Sequence, residues 1–333
     1  MTDLYYRPIP MTDAARPQGA LPLAGGWCWF DRAEVLGRGN HHGVIAASDI
    51  PADLRARLVA PRAPFAGVVL DRPQMMGVIN ITPDSFSDGG RYLEPAAALT
   101  RGACMVEEGA AILDLGGEST RPGAAEVAED EELRRVLPVV SALATTGVPL
   151  SVDTRKAAVA RAALAEGATI VNDISGLTHD PDMGAVVAGA GACLCLMHMR
   201  GTPATMQDEA QYDDVLLDVY DALAERVARA EAAGIARDRI AIDPGIGFAK
   251  TEAHNLAILR RISLFHGLGC AILLGVSRKR FIGRIGGGQP PEGRGPGTLA
   301  LTLAAAAQGV QLHRLHVMSE TRQALALWRS VQG

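Results

Sequence analysis

Apolar residues follow two rhythms along this chain, and the change falls near residue 70. From about residue 72 onward, short runs that are apolar on consecutive positions alternate with longer Ala-rich stretches of helical period. The runs are Met75–Ile81, Ala111–Leu115, Val148–Val152, Thr169–Ile174, Ala192–Met197, Ile240–Ile242, Cys270–Leu274 and Gln311–Val317. The helical stretches are 96–108, 130–145, 155–166, 181–189, 212–233, 252–263, 297–308 and 319–331. Runs that are apolar on both faces, with helices between them, predict parallel strands covered on their outer side. Eight such units over about 260 residues predict a (β/α)8 TIM barrel over 71–333. A doubly wound open sheet is the alternative. It would carry a Gly-rich phosphate fingerprint after its first strand, and none stands there. Gly286-Gly287-Gly288 lacks a following Lys-Ser/Thr and reads as a flexible loop.

Residues 1–70 keep a different pattern. Their aromatics cluster as Tyr5-Tyr6, Trp27 and Trp29-Phe30 among scattered prolines and glycines, with no long helical period. They predict a small irregular or β-rich N-terminal extension of open role: a cap on the barrel, part of an oligomer contact, or a partly mobile segment.

Barrel enzymes hold their chemistry at the C-terminal ends of the strands, and every predicted strand here delivers polar residues at that end. The first ends in Asn80 and the loop Thr82–Asp88, the second in Asp114 and a loop with Glu118, Thr120, Arg121 and Pro122. Asp153-Thr154-Arg155, Asn172-Asp173, His198-Met199-Arg200, Asp243-Pro244-Gly245, Ser277-Arg278-Lys279 and Arg314 with His316 close the others. Any one of these reads alone as a helix cap or a solvated turn. Eight together make a ring. Asp114, Asp153, Asn172 and Asp243 form an acceptor-rich floor suited to a flat heterocycle with several N–H donors. Lys279, Arg121, Arg314 and His316 are expected as cations at the rim, where they would meet an anionic group such as phosphate. Asn80 with loop oxygens suits Mg²⁺ held between protein and phosphate. Phe248, on a Gly-rich loop, is either core or a ring-stacking surface. Gly89-Gly90, Gly116-Gly117 and Gly123 would let the first two loops close. No Ser–His or Cys–His nucleophile pair is apparent.

Composition narrows the class. Thirty-two basic against 37 acidic residues give a net charge of −5, a poor match to a nucleic-acid binder. No basic-then-apolar leader and no apolar run of spanning length are present, so neither secretion nor a membrane span is expected. Five cysteines without a CxxC pair fit a reducing, cytoplasmic setting. Cys193 and Cys195 read as strand core rather than metal ligands.

Seven segments then resemble one family in order: MGVINITPDSFSDGG, ILDLGGESTRPGA, SVDTRK, VNDISG, LMHMRGTPATMQ, IDPGIGFAK and LLGVSRKRFIG. They are similar to dihydropteroate synthase, a pterin-binding TIM-barrel family, over about residues 73 to 331. The resemblance implies a transferase of folate biosynthesis, the sulfonamide target, which joins a 7,8-dihydropterin hydroxymethyl diphosphate to 4-aminobenzoate. It implies an SN1-like, Mg²⁺-assisted step in a homodimer. By matched position, Asp114, Asp153, Asn172, Asp243 and Lys279 would hold the pterin. Asn80 would ligate Mg²⁺ or meet the diphosphate, helped by Arg314 and His316. Thr120, Arg121, Pro122, Phe248 and Ser277 would bound the aminobenzoate site. Two departures stand out. The family's Arg-x-His-Asp-Val becomes Arg314-Leu315-His316-Val317-Met318, without the Asp. Residues Pro290 to Thr298 are richer in Gly and Pro, which predicts a loop difference. A corrinoid methyltransferase would share the carboxylate floor without needing the Ser-Arg-Lys and Arg-x-His segments. A lapsed pterin binder would have shed the loop residues that stand here.

Overall fold

The structure, a computed structural model, describes residues 4–81 and 95–332. The first strand-end loop, with Asp84, Ser85, Ser87, Asp88, Gly89 and Gly90, lies outside the described residues.

The leading segment is mainly β structure. Strands β1 (Tyr5–Pro8), β4 (Arg32–Gly37) and β5 (Asn40–Ala46) make an antiparallel sheet, and β2 (Leu21–Pro22) pairs with β3 (Trp29–Phe30). It also contains α1 (Ala52–Val59), which its weak period concealed. Leu23, Cys28, Phe30, Ala33, Ile50 and Leu58 form its own small core. Polar contacts fasten it to the barrel. Tyr5 Oη donates to Asp221 at 2.8 Å, and Trp27 Nε1 donates to the Ala306 carbonyl at 2.8 Å. Glu34, buried, accepts from Arg7 at 2.6 Å and Arg261 at 3.0 Å.

The eight apolar runs become β6 (Gln74–Asn80), β7 (Ile112–Gly116), β8 (Leu150–Asp153), β9 (Ile170–Asp173), β10 (Cys193–Met197), β11 (Ile240–Asp243), β12 (Ala271–Leu274) and β13 (Leu312–Leu315). All pair in parallel, and β13 pairs with β6 to close the barrel. The helices between and after them are α2 (Pro95–Glu107), α3 (Glu129–Leu143), α4 (Ala157–Ala165), α5 (Met183–Ala190), α6 (Val215–Ala232), α7 (Glu252–Arg260), α8 (Arg280–Ile285), α9 (Gly295–Ala306) and α10 (Ser319–Gln332). The Gly- and Pro-rich segment before the next helix forms a 3-10 turn, Pro291–Arg294, that leads straight into α9. Pro296 stands in the first turn of that helix, where a missing N–H is harmless. Local caps set other boundaries: Asp214 accepts from Leu216 and Leu217 N–H at the start of α6, and Thr251 with His254 forms a capping box on α7.

The pleat divides each barrel strand. Outward residues such as Leu113, Leu115, Val152, Leu194 and Ile242 pack under the helices. Inward residues change character along the strand. Low in the barrel, Met76, Ile112, Ile170, Cys195, Leu273 and Leu312 pack together, and Phe65 and Leu70 from before β6 fill that mouth. Cys193 and Cys195 are thus interior packing. One step higher, register aligns Asn80 with Gly116, Gly116 with Asp153, and Asp153 with Asn172.

Candidate active site

The upper mouth gathers side chains from every quarter of the barrel. Asp114 is fully buried and Asp153 is 4% exposed. Arg314, expected at the rim, instead lies across this floor. Its Nε donates to Asp114 Oδ2 at 2.6 Å and its Nη2 to Asp153 Oδ2 at 2.7 Å. Leaving three buried charges unpaired would be far more costly than drawing the guanidinium inward. Asn172 Nδ2 donates to the same Asp114 oxygen at 3.2 Å. The second oxygens, Asp114 Oδ1 and Asp153 Oδ1, are buried and have no partner. Gly116 sits beside Asp153, and a Cβ there would stand 3.6 Å from that of Asp153, so glycine leaves the carboxylate side open. Burial pushes the Asp153 carboxyl up. Arg314 draws it back, Asp114, Glu132 and Asp173 push again, and it settles at about 7.

Asp243, at the end of β11, accepts from Gly245 N–H at 2.7 Å, and burial raises its carboxyl above the usual range. Gly245 has φ +70°, and a Cβ there would lie 2.0 Å from the His198 carbonyl oxygen, so the loop requires glycine. Asp173, beside Asn172, faces its own loop. It accepts from Ser175 N–H at 2.8 Å and Leu177 N–H at 2.7 Å, a structural staple rather than a floor group.

Lys279 and Phe248 form one wall, with Lys279 Nζ 4.2 Å from the Phe248 ring centroid. Burial lowers the Lys279 ammonium to about 8, despite the nearby Asp243. Phe248 is half-buried against Met197, Met199 and Met206. At the adjoining strand ends, His316 Nδ1 lies 3.0 Å from Ser277 Oγ, which also accepts from the His316 N–H at 3.1 Å. A Ser–His pair therefore exists, unseen in the sequence because the two residues come from neighbouring strands. His316 is not the expected cation. Burial holds it down to about 3, assisted by Arg314, Arg278, Lys279 and Arg121. The same pairing explains how its ring stays oriented although Val317 replaces the family Asp. Arg121 is exposed, while Thr120 and Pro122 are half-buried, all on the loop after β7. Asn80 ends β6 at the level of Asp153, on the far side of Gly116.

Other buried polar residues lie inside the seven motifs or beside them without an expected role. Lys250 is 3% exposed, with Nζ 2.9 Å from His198 Nδ1 and donating to the Phe248 carbonyl at 3.0 Å. It ties the Phe248 loop to the end of β10. Glu118, Glu132, Arg155 and Lys156 form a second buried group. Opposite charges inside motifs that read as loops were the available signal for the second group; Lys250, which meets a ring nitrogen and a carbonyl, carried none.

Comparisons with known proteins give the family and the fold. The family model described as pterin binding enzyme matches residues 76–316. A dihydropteroate synthase of Escherichia coli K12 is 46% identical over 257 residues, covering 77% of this chain and 90% of the relative. One from Mycobacterium leprae is 47% identical, with coverage of 77% and 93%. A solved Xanthomonas albilineans dihydropteroate synthase with 4-aminobenzoic acid is 46% identical, with a TM-score of 0.76 over 80% of this chain and 97% of that one. The same enzyme has been solved with 7,8-dihydropteroate, and the Yersinia pestis one, 44% identical, with a sulfonamide drug.

Proposed function

The chain belongs to the pterin binding enzyme family as a dihydropteroate synthase, and we propose that its barrel mouth joins (7,8-dihydropterin-6-yl)methyl diphosphate to 4-aminobenzoate, releasing 7,8-dihydropteroate and diphosphate. One observation carries the assignment of the floor: the two buried, partnerless oxygens Asp114 Oδ1 and Asp153 Oδ1. Each such acceptor costs about 1–3 kcal/mol when left unmet. The N–H edge of an aminopyrimidine would satisfy both, while the opposite oxygens keep their bonds to Arg314. Asn172 and Asp243 extend the same acceptor edge, and Lys279 closes over the ring.

The diphosphate end would lie toward His316, ringed by Arg121, Arg278, Lys279 and Arg314. Neutral His316 shares a hydrogen bond with Ser277 through Nδ1, 3.0 Å from the hydroxyl oxygen, and leaves Nε2 for the diphosphate. Asn80 supplies a hard amide oxygen, and among the described residues no group of three or more His, Cys, Asp or Glu could hold a metal by itself. That donor set fits Mg²⁺, which takes few protein ligands and completes its shell from phosphate and water. When bound there, the ion would neutralise charge developing on the diphosphate.

The step we infer is SN1-like. The C–O bond to diphosphate breaks first, and the electron-rich pterin with Asp153 beside it stabilises the methylene cation. The arylamine lone pair then forms the C–N bond, and the surplus N–H proton leaves to the released diphosphate. Thr120, Arg121, Pro122 and Phe248 bound the arylamine, Ser277 fixes His316, and catalysis is positioning and preorganised charge. Sulfonamides would compete at the arylamine position. A second copy of the chain would pack on the outer face of α10, where Leu327 and Val331 are 62% and 82% exposed.

The test is turnover of the purified chain with the dihydropterin diphosphate, 4-aminobenzoate and Mg²⁺. Diphosphate and dihydropteroate should appear in equal amounts and fall to background with Lys279→Ala. Binding of the pterin diphosphate without either product would overturn the reading.

A further inference from the structure

A buried cluster of four charges joins the loop after β7, the end of β8 and the start of α3. Arg155 Nη2 donates to Glu118 Oε1 at 2.5 Å, and Lys156 Nζ donates to Glu118 Oε2 and to Glu132 Oε2, each at 2.5 Å. All four residues are less than one-tenth exposed. Their chain positions give the cluster its meaning. Glu118 precedes Thr120 by two residues, and Arg155 and Lys156 follow Asp153 by two and three. Glu132 belongs to the first turn of α3. The cluster therefore bolts the root of the loop after β7 onto the strand end that carries Asp153.

The crown of that loop is held differently. Gly123 N–H donates to the Pro203 carbonyl at 3.0 Å, reaching over to the loop after β10. Glu126 stands 3.6 Å from His179 and 3.8 Å from Arg155, but its side chain is 59% exposed. Exposed pairs hold weakly, whereas a buried charge stripped of its partner is strongly unfavourable. The root is therefore held more firmly than the crown. Burial alone would raise the Glu118 carboxyl, but the bonds from Lys156 and Arg155 hold it below the usual range, so it stays charged.

We propose that Glu118 is the positioning residue for the arylamine: its two ion pairs set where Thr120, Arg121 and Pro122 stand over the pterin floor. The inference rests on the dihydropteroate synthase reading. It needs a carboxylate, because two different cations each require a charged acceptor oxygen. A packing role alone would lower stability without telling one substrate from the other.

The experiment begins with turnover by the unsubstituted full chain, whose absence would overturn both the reaction and this role. In Glu118→Gln, KM for 4-aminobenzoate should rise about tenfold or more, because displaced contacts lose aligned binding. In that variant kcat and the Kd of the dihydropterin diphosphate alone should stay within about threefold. Arg155→Gln, which removes one of the two pairs, should give a smaller shift with the same selectivity, and it carries the test if Glu118→Gln does not fold. Equal movement of both substrates, or an unmoved aminobenzoate KM in either folded variant beside normal wild-type turnover, overturns the role of Glu118 and leaves the reaction standing.

Discussion

Two layers of side chains fill the inside of the barrel, about two residues apart on the same strands. The lower layer is Met76, Ile112, Ile170, Cys195, Ala241, Leu273 and Leu312, closed by Phe65 and Leu70. The upper layer is Asp114, Asp153, Asn172, Asp243 and Arg314. The lower layer carries no side-chain nitrogen or oxygen to satisfy, only the weakly polar Cys195 thiol, and burial alone makes it favourable. The upper layer is paired across the barrel yet keeps two carboxylate oxygens without partners. The lower layer holds the strands in place so that the upper one can stay strained and ready for a ligand, a division expected where preorganised polar groups serve a reaction.

The widest separation of the two layers should come from one substitution in each. Asp153→Asn should lower kcat/KM by about 10²–10³-fold, with Tm moving by only a few degrees. Steady-state kinetics beside a thermal melt would expose the opposite pattern, which would make the upper layer structural. Phe65→Ala should cost about 3–5 kcal/mol of stability in a urea titration. Its kcat/KM per folded molecule should stay within about twofold, since distant sites act independently. A catalytic loss there without loss of stability would break the division.

The pH dependence is the next smaller effect. Asp153 ionises near 7 and Lys279 loses its proton near 8. Activity should rise by about tenfold per pH unit below the first and fall above the second, giving a narrow bell in kcat/KM. The raised Asp153 carboxyl also binds a proton on folding. Its contribution to stability is full below the ordinary value of 3.8 and lost as pH rises through about 7. Stability should therefore decline across that window, and Asp153→Asn should flatten the decline. An unchanged slope would mean another group is responsible. Smallest of all, Val317→Asp should alter kcat/KM by about twofold or less, because Ser277 already orients His316. A large gain would show that the ring lacks an anchor.

The floor was readable because each member ends or nearly ends a strand and the pleat fixes which way it points. Asn80, Asp114, Asp153, Asn172 and Asp243 needed only strand counting. Arg314 was readable as a site residue but not as a floor residue. Its partners lie 200 and 161 positions away in the chain, and no local pattern encodes that crossing. The Ser277–His316 pair, 39 positions apart, was hidden for the same reason. The cluster around Glu118 offered only alternating charges inside two motifs, which equally describe a solvated turn. In the leading segment, α1 was missed because eight residues with a single buried position, Leu58, carry almost no period.

Periodicity is local, so the chain alone settled the eight parallel strands, the apolar lower layer and the ring of polar residues above it. The seven motifs pointed to the dihydropteroate synthase family. Folding in three dimensions decided the rest. It put Arg314 across two carboxylates, kept His316 neutral among four cations, lifted Asp153 toward neutral pH, and brought Phe65 from before the first barrel strand to seal the lower mouth. Those outcomes depend on distances and desolvation among segments far apart in the chain, and such quantities exist only once the barrel has closed.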